Sequence, residues 1–118
     1  MIILHCLSFD DYNKIGNSQS YGGEDVEKYG FIHCSSIEYF WRVAPNFNSG
    51  EYILLCVETN LVESEIKWED FDGLGRKYPH IYGELNTAAI VCTYPFLRNN
   101  KGVFVLNDEL KVLIEQEV

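Results

Sequence analysis

Two short segments carry residue types that could do chemistry. GFIHCSS runs from Gly30 to Ser36, and GRKYPHIYGEL runs from Gly75 to Leu85. Each sets a histidine beside hydroxyls inside an apolar, strand-like stretch. The remaining histidine, His5, stands in the opening run IILHCL, and the chain has only 3. An imidazole in a core-building segment is costly unless it is hydrogen-bonded. Three of them either share one polar cleft or close three separate networks, and the pattern favours the cleft.

Alternation puts Phe31, His33 and Ser35 on one face of the first segment and Ile32 and Cys34 on the other. The apolar pair then faces the core, and His33 and Ser35 line a second surface. A purely structural alternative stays open, in which His33 bonds a backbone carbonyl and Ser36 caps a helix. In the second segment Arg76 and Lys77 are adjacent cations beside the flexible stretch Gly73 to Gly75. They suit a phosphate or a carboxylate, and equally a solvated loop. Pro79 marks a turn. His80, Tyr82 and Glu84 alternate, so in an extended stretch they offer a base, an aromatic face and a carboxylate on one side. Trp68 is a candidate stacking surface for a ring, against ordinary packing at a rim.

The elements that must position these residues are short and mixed. Ile2 to Leu7 reads as a strand, Ser8 as an N-cap with Asp11 three residues on, and the helix it opens ends near Gly16. Glu24 to Tyr29 forms a helical turn stopped by Gly30, and Phe31 to Cys34 a short strand. Ile37, Phe40, Trp41, Ala44 and Phe47 follow a helical period, with Trp41 in the core and Pro45 bending or ending the helix. Asn48 to Gly50 is a turn. Tyr52 to Glu58 and Ala88 to Tyr94 read as central strands, Ile66 to Trp68 as an edge strand and Val103 to Leu106 as a last strand. Asp108 to Gln116 reads as an amphipathic helix, and Glu115 to Glu117 as its solvated end. The elements do not alternate strictly, which predicts an α+β domain with a mixed or antiparallel sheet.

Bulk composition narrows the function. The chain has 118 residues, 47% of them hydrophobic, which suits one domain with a true core. A net charge of −9 argues against an extended nucleic-acid surface. No apolar stretch is long enough to span a bilayer, and the start carries no basic leader, so a soluble, cytoplasmic protein is expected. Cys6, Cys34, Cys56 and Cys92 form no CxxC pair and read as buried thiols in a reducing compartment. A zinc site from His5, Cys6, His33 and Cys34 is disfavoured, because neighbours on a strand point to opposite faces; no metal is expected. A Cys34–His nucleophilic pair needs Cys34 in the cleft, and alternation points it inward. No P-loop, H-E-x-x-H, G-x-G-x-x-G or G-x-S-x-G is present.

With these pieces in hand, the sequence resembles the domain-of-unknown-function 952 family. The matching stretches are IILHCLS, GFIHCSS, YILLCVE, IKWEDFDGLGRKYPHIYGEL and AAIVCTYPF, from Met1 to Phe96. Residues 97–118 then form a C-terminal extension of strand and helix on a single domain, 1–118. That family is grouped with the ADP-ribosyltransferase-like folds. The resemblance implies a split, mixed β-sheet core with flanking helices around a cleft that binds NAD in relatives. It further implies His5, His33 and Ser35 as ligand-binding residues, joined by Trp68, Arg76 and Tyr82, with Glu84 and His80 as catalytic candidates. A carboxylate in the part of Glu84 would stabilise positive charge building on the nicotinamide ribose. RNA 2′-phosphotransferases share the fold and instead grip phosphates with Arg and His, parts that Arg76, His80 and His33 could take. Three functions follow: an NAD-dependent ADP-ribosyl or phosphoryl transferase, a non-catalytic nucleotide or small-metabolite binding module, and a protein-interaction domain.

Overall fold

A computed structural model describes residues 1–47 and 49–116. In chain order its elements are β1 (Ile2–Ser8), α1 (Phe9–Ile15), β2 (Ser20–Tyr21), α2 (Gly23–Tyr29), β3 (Ile32–His33), β4 (Ser35–Ser36), α3 (Phe40–Val43), β5 (Tyr52–Glu58), β6 (Glu65–Glu69), β7 (Tyr78–Tyr82), β8 (Leu85–Asn86), β9 (Ile90–Pro95), β10 (Leu97–Arg98), β11 (Phe104–Val105) and α4 (Asp108–Gln116). The expected turn residue Asn48 and the helix-end residue Glu117 lie outside the described residues.

The strands form a four-stranded sheet in the order β4-β1-β5-β9, a three-stranded sheet β3-β7-β6, and the pairs β2-β8 and β10-β11. Every pairing among the described residues is antiparallel, one of the two arrangements the residue pattern left open, and not the mixed sheet that the family resemblance implied. Parallel pairing needs a long crossover, usually a full helix. The helices between strands here have 7, 7 and 4 residues, too short for that job. The result is one α+β domain.

The central sheet is apolar on both faces, because β1 and β5 are. In β1, Ile3 and Leu7 enter one core with Ile32, Leu55, Val57 and Ile81. Leu4 and Cys6 enter a second with Phe40, Leu54, Phe96 and Leu110. The second sheet closes the first core, and α3 and α4 close the other. His5 shares the parity of Ile3 and Leu7, so it points toward the second sheet.

Local signals explain the ends. Ser8 Oγ accepts the Asp11 N–H at 3.1 Å and starts α1. Gly30, at φ 88°, stops α2 by donating its N–H to Val26 O.

Four expectations give way. The strand read over Phe31 to Cys34 changes sheets at Cys34: β3 pairs with β7 and β4 with β1. Pro79 makes no turn but lies within β7, where its carbonyl accepts the Cys34 N–H at 3.1 Å. β9 is an edge strand, not a central one, and alternates half-buried with exposed residues. Trp41 is 62% exposed, because the helix of Phe40 and Ala44 is one turn long before Pro45 tightens it to 3₁₀ geometry. Among the described residues, no helix is long and apolar enough to cross a membrane.

Candidate functional site

His5 from β1, His33 from β3, Ser35 from β4, Arg76 from the loop after β6, and His80 from β7 all line one cavity of about 650 Å³. The change of sheet at Cys34 brings this about. It carries the chain from the second sheet to the edge of the first, so the groove between the sheets receives side chains from β1, β3, β4, β6 and β7.

His5 is 5% exposed and fully partnered. Its Nδ1 lies 2.6 Å from His33 O, and its Nε2 lies 2.9 Å from the Tyr21 hydroxyl. A carbonyl only accepts, so Nδ1 carries the hydrogen. In the neutral ring Nε2 then accepts from Tyr21. Burial, then the Asp25 carboxylate, raises the Tyr21 pKa and keeps that hydroxyl a donor.

Burial lowers the His5 pKa from its ordinary 6.5, against the opposing pull of the His33 carbonyl. The unfolded chain therefore binds a proton that the folded chain resists. Stability is expected to fall as pH drops below about 6.5, at up to about 1.4 kcal/mol per pH unit from this residue, until the folded-state pKa is passed. His33 is also lowered, by burial and then by His80, against Asp25, and it titrates in the same direction. Melting curves from about pH 8 to about pH 5 should thus show a shallower loss of stability in His5→Gln than in the parent. Equal slopes would remove His5 as a source.

His33 and His80 face each other across the β3–β7 pairing, with ring centroids 5.6 Å apart. His33 is exposed and His80 is 4% exposed. His80 Nδ1 lies 3.0 Å from Glu69 Oε1, and the Tyr82 hydroxyl donates to the same oxygen at 2.6 Å. The Tyr82 hydrogen bond first, and His80 after it, hold the Glu69 carboxyl below its ordinary value, against burial. Phe31 and Phe71 both contact the His80 ring, with centroids at 4.3 and 5.0 Å from it, and lie 5.8 Å from each other.

Two guanidiniums, Arg42 and Arg76, open on the same cavity. Among the described residues neither forms an ion pair or a hydrogen bond; Arg42 only overlies the Trp41 ring at 5.1 Å. Asp70 also lines the cavity, but its carboxylate is engaged by the N–H groups of Gly73, Leu74 and Gly75. Cys34 lines the cavity despite its expected inward direction, but burial, then Asp25, raises its thiol pKa and keeps it protonated. Ser35 is 2% exposed, and its hydroxyl donates to Ser36 O.

Three candidates fall outside the cavity lining. β7 ends at Tyr82, and Gly83, at φ 149°, redirects the chain. Glu84 consequently is exposed and receives the Ser20 hydroxyl at 3.4 Å. Trp68, 38% exposed, lies in β6 opposite Pro79. Tyr82 reaches the site through Glu69 and through its ring contact with Phe31 at 5.1 Å. Conversely, sequence reasoning missed Glu69, Arg42 and Asp25. A signal existed for Glu69: with Pro79 inside a strand, β6 and β7 form a hairpin whose register puts Glu69 diagonal to His80.

The arrangement can hold an anion against two free guanidiniums, stack a planar ring on exposed aromatics, and exchange a proton at an imidazole.

A family model described as protein of unknown function (DUF952) matches residues 7–93. No curated protein matches the chain. Among solved structures, the crystal structure of protein CC0527 from Caulobacter crescentus is 25% identical, with a TM-score of 0.79, covering 94% of this chain and 99% of that one. The solution NMR structure of CC0527 from the same organism is 26% identical, with a TM-score of 0.76 and coverage of 94% and 97%.

Proposed function

The chain belongs to the DUF952 family, and from that premise we propose that its cleft binds a phosphate-bearing nucleotide such as NAD or ADP-ribose in an ADP-ribosyltransferase-like fold. One observation carries the reading: two unpaired guanidiniums and three imidazoles line one cavity, beside the carboxylates of Asp25, Glu69, Asp70 and Asp72, in a chain of net charge −9. Leaving cations without carboxylate partners in so acidic a protein supports a site shaped for an anion that comes from outside. Arg76 and Arg42 take the phosphates, His5 and His33 border the ribose, and Phe71 and Tyr29, exposed at the mouth, offer ring faces. The exposed place of Glu84 supports a chemistry that does not depend on it, closer to phosphoryl transfer than to nicotinamide release. Four free cysteines support a reducing, cytoplasmic setting.

Titrating the chain with NAD and with ADP-ribose tests this. The backbone amide signals of His33 and His80 are expected to shift saturably with at least one of them. Arg76→Ala is expected to weaken binding about tenfold or more, since a hydrogen bond to a charged group contributes about 1.5–3 kcal/mol. No shift at either amide with millimolar ligand would overturn the proposal.

A further inference from the structure

We propose that Glu69 is a positioning residue that sets His80 as the proton acceptor of the cleft, an inference that rests on the nucleotide-binding reading above. An ionised carboxylate only accepts, so the 3.0 Å contact with Glu69 Oε1 puts the hydrogen on Nδ1 of His80. In the neutral ring Nε2 is then an unprotonated acceptor. Among the described residues Nε2 has no hydrogen-bond partner, yet it is not among the buried unsatisfied atoms. It is therefore the part of the ring that solvent or ligand can reach, and the ring lines the cavity.

Other contacts fix the carboxylate and the ring. Tyr82 donates to the same Oε1 and so restrains Glu69. Phe31 and Phe71 both contact the imidazole and also each other, and Phe71 is nearly parallel to it at 14°. The tautomer, the ring plane and the carboxylate are thus each set by a different contact, which is how an orienting carboxylate prepares a base. In the step this permits, a hydroxyl of the bound nucleotide, or a water, gives its proton to Nε2. The oxygen keeps the electron pair of the broken O–H bond, and Glu69 holds the imidazolium that results.

The test reads the His80 ring nitrogens of the full chain by NMR at neutral pH, without ligand. The expected result is a protonated Nδ1 and an unprotonated Nε2. Glu69→Leu is expected to lose that preference, giving a mixture of tautomers, and Glu69→Gln to keep it, because the amide carbonyl still accepts. If Glu69→Leu does not fold, the parent and Glu69→Gln spectra still decide. A parent ring protonated at Nε2, or a tautomer indifferent to Glu69→Leu, would overturn the inference. Loss of ADP-ribose binding in the parent would sink the nucleotide reading and with it the assigned role of Glu69, whereas a wrong tautomer with binding intact would sink the role alone.

Discussion

Phe40→Ala is expected to destabilise the protein by about 3–5 kcal/mol, the usual range for removing a buried aromatic ring. Phe40 is 1% exposed, and its ring lies 5.1 Å from Phe104, 6.2 Å from Phe96 and 6.4 Å from Phe47. It contacts all three of these phenylalanines from a helix of only 4 residues. Helices shorter than about 12 residues do not hold themselves in water. α3 therefore exists because Phe40 anchors it, with Ile37 and Ala44 beside it. The loss is a large part of the roughly 5–15 kcal/mol available to a domain of this kind. It also reaches the site, since Phe40 and Val43 form part of the cavity wall and Arg42 sits between them in the chain. Trp41→Ala is the internal control. At 62% exposure it should cost no more than about 0.5 kcal/mol. Urea denaturation of both variants decides the matter. A loss below about 1 kcal/mol for Phe40→Ala would mean that the second core closes without it.

The contrast between neighbours Phe40 and Trp41 shows what one sequence discloses. Both satisfy a helical period from Ile37, and periodicity alone cannot tell which continues to face the core when a helix lasts one turn. Elements whose cause is local were readable: the Ser8 cap, the Gly30 stop, the apolar run Tyr52 to Glu58, the helix from Asp108. Elements whose cause is a partner far along the chain were not. Pro79 suggests a turn until it is seen to supply only an acceptor, which the Cys34 N–H then uses. β9 is as apolar as a central strand, yet among the described residues no strand lies beyond it, and Cys92 and Tyr94 instead pack into the second core. The site divides along the same line. Histidines are few and conspicuous, so His5, His33 and His80 stood out. Glu69 is one of 18 acidic residues and becomes distinct only when the β6–β7 hairpin sets it against His80. Glu84 lies outside the cavity lining for the opposite reason, because two-residue alternation was carried past Gly83, where the strand has ended.

Gly22→Ala should rank with the core mutations although it adds one methyl group at a partly exposed turn. Gly22 has φ 94°, a backbone region where a Cβ costs about 1–2 kcal/mol. That Cβ would also run into Ile32, meeting its Cδ1 and lying 2.8 Å from its Cγ1. Ile32 is fully buried in β3, so its side chain can yield only by disturbing the first core, which adds about 1–3 kcal/mol for overpacking. The expected total is roughly 2–5 kcal/mol by those two contributions. Gly30→Ala separates them. Gly30 has a similar φ of 88° but nothing within 4 Å of an added Cβ, so it should cost the backbone part alone. The two glycines bracket α2, which carries Asp25 and Tyr29 to the cavity, and Tyr21, the partner of His5, directly precedes Gly22. The larger loss in Gly22→Ala should therefore come with a broadened or displaced His5 ring signal, and Gly30→Ala should leave that signal in place. Equal destabilisation of the two variants would show that Ile32 has room to move, and that the first core beside the cleft is looser than its burial implies.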